Sequence, residues 1–145
     1  MVCCILHTNT LRMKKAILLF ALAVLTNLLQ AQVIVYDKDL VTPKDLNGVA
    51  VKEAGSDSLS TGNVIWIESE LKPHFHATHS EHTYIIDGEA DVLLGDKWFK
   101  VKNGDMVFIP KGTIHAVKVT SKRPLKVFAV QSPNSDGTDR VYIKE

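Results

Sequence analysis

Pro73-His-Phe-His-Ala-Thr-His-Ser-Glu-His-Thr-Tyr-Ile-Ile-Asp-Gly88 holds four of the chain's six histidines. In an extended strand successive side chains alternate faces, so His74 and His76 project to one side, where two imidazoles can chelate one cation. After the polar turn at residues 77–80 the alternation resumes. Glu81, Thr83 and Ile85 share one face, and His82, Tyr84 and Ile86 share the other. Glu81 then points inward with Ile85. Downstream, Gly104-Asp-Met-Val-Phe-Ile-Pro-Lys-Gly-Thr-Ile-His115 ends in a Pro-Lys-Gly turn and delivers one more imidazole, His115, on the face it shares with Val117 and Val119.

The surroundings of these two stretches have the same character. From Val33 onward, short β-branched and aromatic runs are separated by Gly, Pro, Asn and Asp. The expected strands are 33–36, 49–53, 63–71, 82–86, 90–94, 98–101, 106–109, 115–120, 125–131 and 140–143. Helical periodicity is nowhere sustained. Turn signals at Asp87-Gly88, Gly95-Asp96, Asn103-Gly104, Lys111-Gly112 and residues 121–124 recur at the spacing of an all-β sandwich or barrel. Gly95-Asp96 predicts a tight hairpin. Residues 37–46 read as a short helix or an irregular arm, and the Ser-rich residues 55–62 as a loop. Gly88, Gly104 and Gly112 are expected at turns that need positive φ, with Pro110 fixing the approach to His115.

The two motifs together resemble the cupin superfamily. Its first motif, His-x-His, three or four residues, Glu, six residues, Gly, is met by His74, His76, Glu81 and Gly88. Its second motif, Gly, five residues, Pro-x-Gly, two residues, His, is met by Gly104, Pro110, Gly112 and His115. Two positions depart from the pattern: Glu68 stands where a Gly is frequent, and Val119 where an Asn is frequent. Neither supplies a ligand in the family. The resemblance implies an all-β, single-domain cupin β-barrel (a double-stranded β-helix, jelly-roll-like) over residues 55–145, preceded by an arm and first strands at 32–54. It also implies that His74, His76, Glu81 and His115 bind one divalent transition metal. The donor chemistry agrees, because neutral imidazoles with one carboxylate suit Mn, Fe, Co, Ni, Cu or Zn and leave coordination positions open for water or substrate. A dication beside a single carboxylate favours an anionic oxygen donor.

Other residues are read more plainly. His79 lies in the turn between the expected ligands and is expected to be solvated; its functional alternative is a proton donor beside the metal, sharing the catalytic assignment with Glu81. His82 faces away and is structural or at the surface. Tyr84, Trp98, Phe99 and Phe108 are expected to pack, as is Trp66.

The N-terminal 31 residues have a different character. Met13-Lys14-Lys15 precedes the apolar run from Ala16 to Leu25, and Ala31 supplies a small residue before the composition changes. This is the layout of a secretory signal peptide at 1–31, with Met13 a candidate start. The apolar run is too short for a membrane span, which needs about 20 such residues. Export places the mature chain in the periplasm or outside the cell, with no stable membrane anchor after cleavage. Cleavage removes Cys3 and Cys4, the only cysteines, and so leaves no disulfide and no Cys-based metal site. The whole chain has a formal charge of +1, which gives no electrostatic reason to bind nucleic acid.

Two functional readings stay open on the sequence. In the first, the metal coordinates a small oxygen-rich substrate and promotes its oxidation or isomerisation, as in a dioxygenase-like oxidoreductase or an isomerase. In the second, the barrel binds a sugar or organic acid without catalysis, the metal serving structurally. Small cupins often pair through their sheets, so the resemblance also implies a homodimer.

Overall fold

The computed structural model describes residues 40–143 of the 145-residue chain; the expected signal segment at 1–31 and the expected strand at 33–36 lie outside the described residues. The elements described are strands throughout: β1 Val49–Ser56, β2 Thr61–Ile67, β3 Glu70–His76, β4 Ser80–Asp87, β5 Glu89–Leu94, β6 Lys97–Lys102, β7 Met106–Ile109, β8 His115–Val119, β9 Leu125–Ser132 and β10 Arg140–Tyr142. They form two antiparallel five-stranded sheets, one ordered β1-β2-β9-β4-β7 and the other β10-β3-β8-β5-β6. The described part of residues 37–46 contains a turn at Lys44-Asp45 and no helix.

Period-2 alternation decides which face of each strand is buried. On β9, Leu125, Val127, Ala129 and Gln131 are buried while their neighbours are only partly so; on β4 the buried set is Glu81, Thr83 and Ile85. The register joins these rows across strands: Ile65 pairs with Val127, and Val127 with Ile85. Facing residues of the second sheet, Ala90, Val92 and Val101, complete the core. Each fully buried Leu, Ile or Val contributes about 1.5–3 kcal/mol of transfer free energy, which drives the closure of one sheet over the other. The polar residues of the same inward faces gather at one end, beyond Ile85, where Thr83, Glu81 and Gln131 continue the rows.

Turn chemistry sets the registers. Leu94 pairs with Lys97 across Gly95-Asp96, with Gly95 at φ +63° and no positive φ at Asp96, the pattern of a type II′ hairpin. Gly88, Gly104 and Gly112 all have positive φ, as expected.

Two expectations are corrected. The single strand expected at 63–71 is two strands, β2 and β3, broken at Glu68-Ser69, because here the chain leaves one sheet for the other. Tyr84, Trp98, Phe99 and Phe108 do not pack inside: they are 41–51% exposed. Tyr84 and Phe108 occupy outward positions of their strands, and Trp98 and Phe99 lie on the edge strand β6. Trp66, by contrast, is buried as expected.

Candidate metal centre

Pairing between strands brings the histidines together. His74 on β3 sits directly opposite His115 on β8, and paired residues of antiparallel strands project to the same face. His76 lies two positions further along that face. The ring centroids are 4.1 Å apart for His74 and His115, 5.2 Å for His74 and His76, and 5.1 Å for His76 and His115. All three are buried. One ring nitrogen from each lies within 4.8 Å of the others. At that upper limit a common centre lies about 2.8 Å from each nitrogen, so the ~2.1 Å bonds of a transition metal require the three nitrogens to stand about 3.6 Å apart around it.

Backbone carbonyls fix the ring orientation. His74 Nδ1 donates to the Lys72 carbonyl at 2.8 Å and His115 Nδ1 to the Thr113 carbonyl at 3.0 Å. A carbonyl can only accept, so the proton stays on Nδ1 and the lone pair on Nε2. His74 Nε2 is buried with no hydrogen-bond partner. Such an orphan is expensive in a protein interior unless something accepts its lone pair, and a cation does so.

Burial pushes both His74 and His76 down to about 4, with neighbouring imidazoles and Arg140 adding to the effect. It also lowers His115, against the opposing influence of the Thr113 carbonyl and Glu81. All three are therefore neutral near pH 7, the state a ligand requires.

Glu81 approaches His76 from the opposite sheet and stands outside the 4.8 Å group of the three imidazoles. Its Oε2 lies 3.6 Å from His76 Nε2. Its Oε1 accepts from Thr83 Oγ1 at 2.7 Å and its Oε2 from Gln131 Nε2 at 3.1 Å, while the Gln131 carbonyl accepts from Asn63 Nδ2 at 3.4 Å. Burial alone would raise the Glu81 carboxyl. The Thr83 and Gln131 hydrogen bonds and the facing His76 and His115 together outweigh it and hold Glu81 below the usual carboxylate range. Each carboxylate oxygen has more than one lone pair, so Oε2 keeps capacity for a further partner.

His79 differs from its expected solvated state, being 1% exposed. Its ring packs on His76 at 4.1 Å, and its Nδ1 lies 2.9 Å from Asp139 Oδ2. Asp139 is held by the Thr78 amide and hydroxyl and by Ser135 Oγ, and its other oxygen lies 3.7 Å from His76 Nδ1. Burial pushes the Asp139 carboxyl up, but the Thr78 hydrogen bonds, His79 and Ser135 prevail and keep it strongly acidic. His76, His79 and Asp139 form a second close donor group that shares His76 with the first. His82 faces outward, as expected, and its ring lies 4.6 Å from that of Phe108.

The histidine cluster opens into a small cavity of about 50 Å³, room for a few small polar atoms. Val51, Ile65, Ile67 and Leu71 are among its apolar walls, and Arg140 also lines it. Arg140, Asp139, Gln131 and Thr83 were not singled out by the sequence reading. Arg140 owes its place to the β3–β10 register, which sets it opposite His76 and Tyr142 opposite His74, a pairing that no local feature of the sequence signals.

Comparison with known proteins agrees with this architecture. A family model described as a cupin domain matches residues 64–131, which span both motifs. An uncharacterised protein of Aquifex aeolicus is 33% identical over 81 residues, 56% of this chain and 66% of that protein. The chain spans 14–66% of the length of the curated relatives it matches. Among solved structures, a double-stranded β-helix protein of Klebsiella pneumoniae superposes with a TM-score of 0.66 at 18% identity, covering 79% of this chain and all of that one. Streptomyces Pac13, solved with uridine, gives 0.60 at 15% identity over 69% of this chain and 82% of its own; it is described as a nucleoside dehydratase. At these identities the structural likenesses speak to the fold alone.

Proposed function

The chain belongs to the cupin superfamily, and from that premise we propose that it is an exported protein holding one divalent transition metal on His74, His76, His115 and Glu81. On this reading the metal centre binds a small oxygen-rich molecule and converts it by dioxygenase-like or isomerase-type chemistry. The single observation that carries the reading is the convergence of three buried, neutral imidazoles within 4.8 Å on an apolar-walled cavity. When bound, such an ion supplies Lewis-acid polarisation or a redox couple.

The chain's own residues do the rest. The Lys72 and Thr113 carbonyls keep the His74 and His115 lone pairs aimed at the centre. Thr83 and Gln131 keep Glu81 ionised, and the apolar walls limit water. His79, oriented by Asp139 and packed on His76, is the proton donor beside the cluster on this reading. A signal segment at 1–31 delivers the chain to the periplasm or the exterior, and the mature protein works as a homodimer. The outer face of the first sheet supports pairing: Phe128, Tyr84 and Met106 form one row across it, and Val130, His82 and Phe108 the next.

One observation favours the non-catalytic alternative, in which a sugar or organic acid is bound and released. Both Glu81 oxygens are already engaged by donors, which suits a fixed ligand better than a mobile proton shuttle.

Elemental analysis of natively exported protein tests the centre. Close to one transition metal per chain is expected, lost in the His74→Ala/His76→Ala double variant with circular dichroism retained; unchanged metal content in that variant refutes the assignment. Oxygen uptake and product formation across enols, oxalate and hydroxy-acids then separate enzyme from binder. If turnover is found, His79→Gln should lower kcat by about 10²–10⁴-fold, the usual loss of a general acid, with metal content unchanged.

A further inference from the structure

Among the described residues, Arg140 is the one Lys or Arg side chain lining the cavity, and Glu81 the one acidic side chain. The two do not pair. Glu81 is occupied by Thr83, Gln131 and the imidazoles, whereas the nearby Asp139 is occupied by Thr78, Ser135 and His79. Arg140 Nε is buried and has no hydrogen-bond partner among the described residues. Its position is not accidental to the fold: in the β3–β10 ladder Arg140 stands opposite His76, so its side chain leaves the sheet on the histidine face. Arg140 also lines an outer groove with Thr61, Asn63, Gln131 and Ser135, whose lining includes the acidic Glu53 and Asp136 as well. It therefore stands where that groove meets the cavity.

This guanidinium is half-buried, and its buried Nε–H is a donor without an acceptor among the described residues. Its planar fork of N–H donors matches a carboxylate in a two-point contact, and apolar walls strengthen the attraction by excluding water. Phosphate shares that chemistry but is bulkier in three dimensions, and the small cavity favours the flat carboxylate.

We propose that Arg140 is the anion anchor of this cavity, holding the carboxylate of a small organic acid whose other oxygen atoms face the His74–His76–His115 cluster. The inference rests on the metal-centre reading for the second half of that statement and on Arg140 alone for the first. It narrows the ligand class to hydroxy-, oxo- or dicarboxylic acids of a few carbons, and it excludes neutral sugars.

Calorimetric titration of zinc-loaded protein with oxalate, malonate and glycolate, against malonamide and glycerol as uncharged controls, tests it. The wild-type protein should bind at least one of the acids and neither control. Arg140→Gln should weaken that binding by about 10–100-fold, the range for a lost hydrogen bond to a charged group, with zinc stoichiometry unchanged; Arg140→Lys should lose less. Equal affinity in the wild type and Arg140→Gln, equal binding of malonamide and malonate, or no binding of any acid to the wild type overturns the proposal. Should Arg140→Gln fail to fold, the Nε–H resonance of ¹⁵N-arginine-labelled wild type decides: it must shift on addition of the acid. Loss of the metal-centre reading would look different, with zinc absent while the apoprotein still binds acids in an Arg140-dependent way.

Discussion

At the scale of single residues, the cluster ties stability to acidity. His74 and His76 sit at about 4 in the folded chain, well under the ordinary value of 6.5. Between those two values the unfolded chain carries protons that the folded chain refuses, so acidification favours unfolding. The metal-free protein should hold its full stability above about pH 7 and lose it progressively from 6.5 down to 4, on the order of 2 kcal/mol per imidazole. Urea titrations of the apoprotein across this range measure the loss, and a flat profile contradicts the burial of neutral rings. Added zinc should raise the midpoint near pH 7 and lose this effect as protons compete for the same lone pairs.

At the scale of strands and turns, two glycines with nearly the same backbone angle separate strain from collision. Gly88 has φ +91° and Gly104 φ +92°; a methyl group at Gly88 would meet Leu125 Cα at 3.1 Å and the Pro124 carbonyl at 3.2 Å, whereas at Gly104 it meets open space. Gly104→Ala should cost about 1–2 kcal/mol from the left-handed conformation alone. Gly88→Ala should cost more, by about 1–3 kcal/mol, because the β4–β5 turn is packed against backbone that cannot yield. Thermal melts of the two variants compare them directly. The same scale explains what could be read in advance. The grouping of His74, His76 and His115 was legible because period-2 alternation and two spaced motifs are local properties. Gln131 and Asp139 were not, because their meaning comes from pairings such as Glu81 with Gln131, fifty residues apart. His79 misled for a related reason: its turn is polar in sequence, yet its ring packs on His76 and against Asp139, which residues that follow β9 bring in. The aromatic residues failed the other way, since hydrophobicity alone does not say which side of a sheet faces the core.

At the scale of the whole molecule, the outer face of the first sheet bears the apolar rows already described, with Met106 69% and Phe108 51% exposed. Contiguous apolar surface of this kind marks an association site more often than bare solvent exposure. Light scattering on the eluting protein should give the mass of a pair at micromolar concentration, and Met106→Glu/Phe108→Lys should give that of a single chain; a wild-type monomer contradicts the pairing. The carbonyls that steer His74 and His115 belong to Lys72 and Thr113, and main-chain atoms cannot be deleted by changing a side chain. Lys72→Ala and Thr113→Ala should therefore leave zinc affinity within about threefold of the parent, short of the 10–100-fold expected when a side-chain support is removed. The aim of these two rings is thus written into the path of the backbone, a form of mutational insurance that leaves codons 72 and 113 free to drift while the geometry they frame stays put.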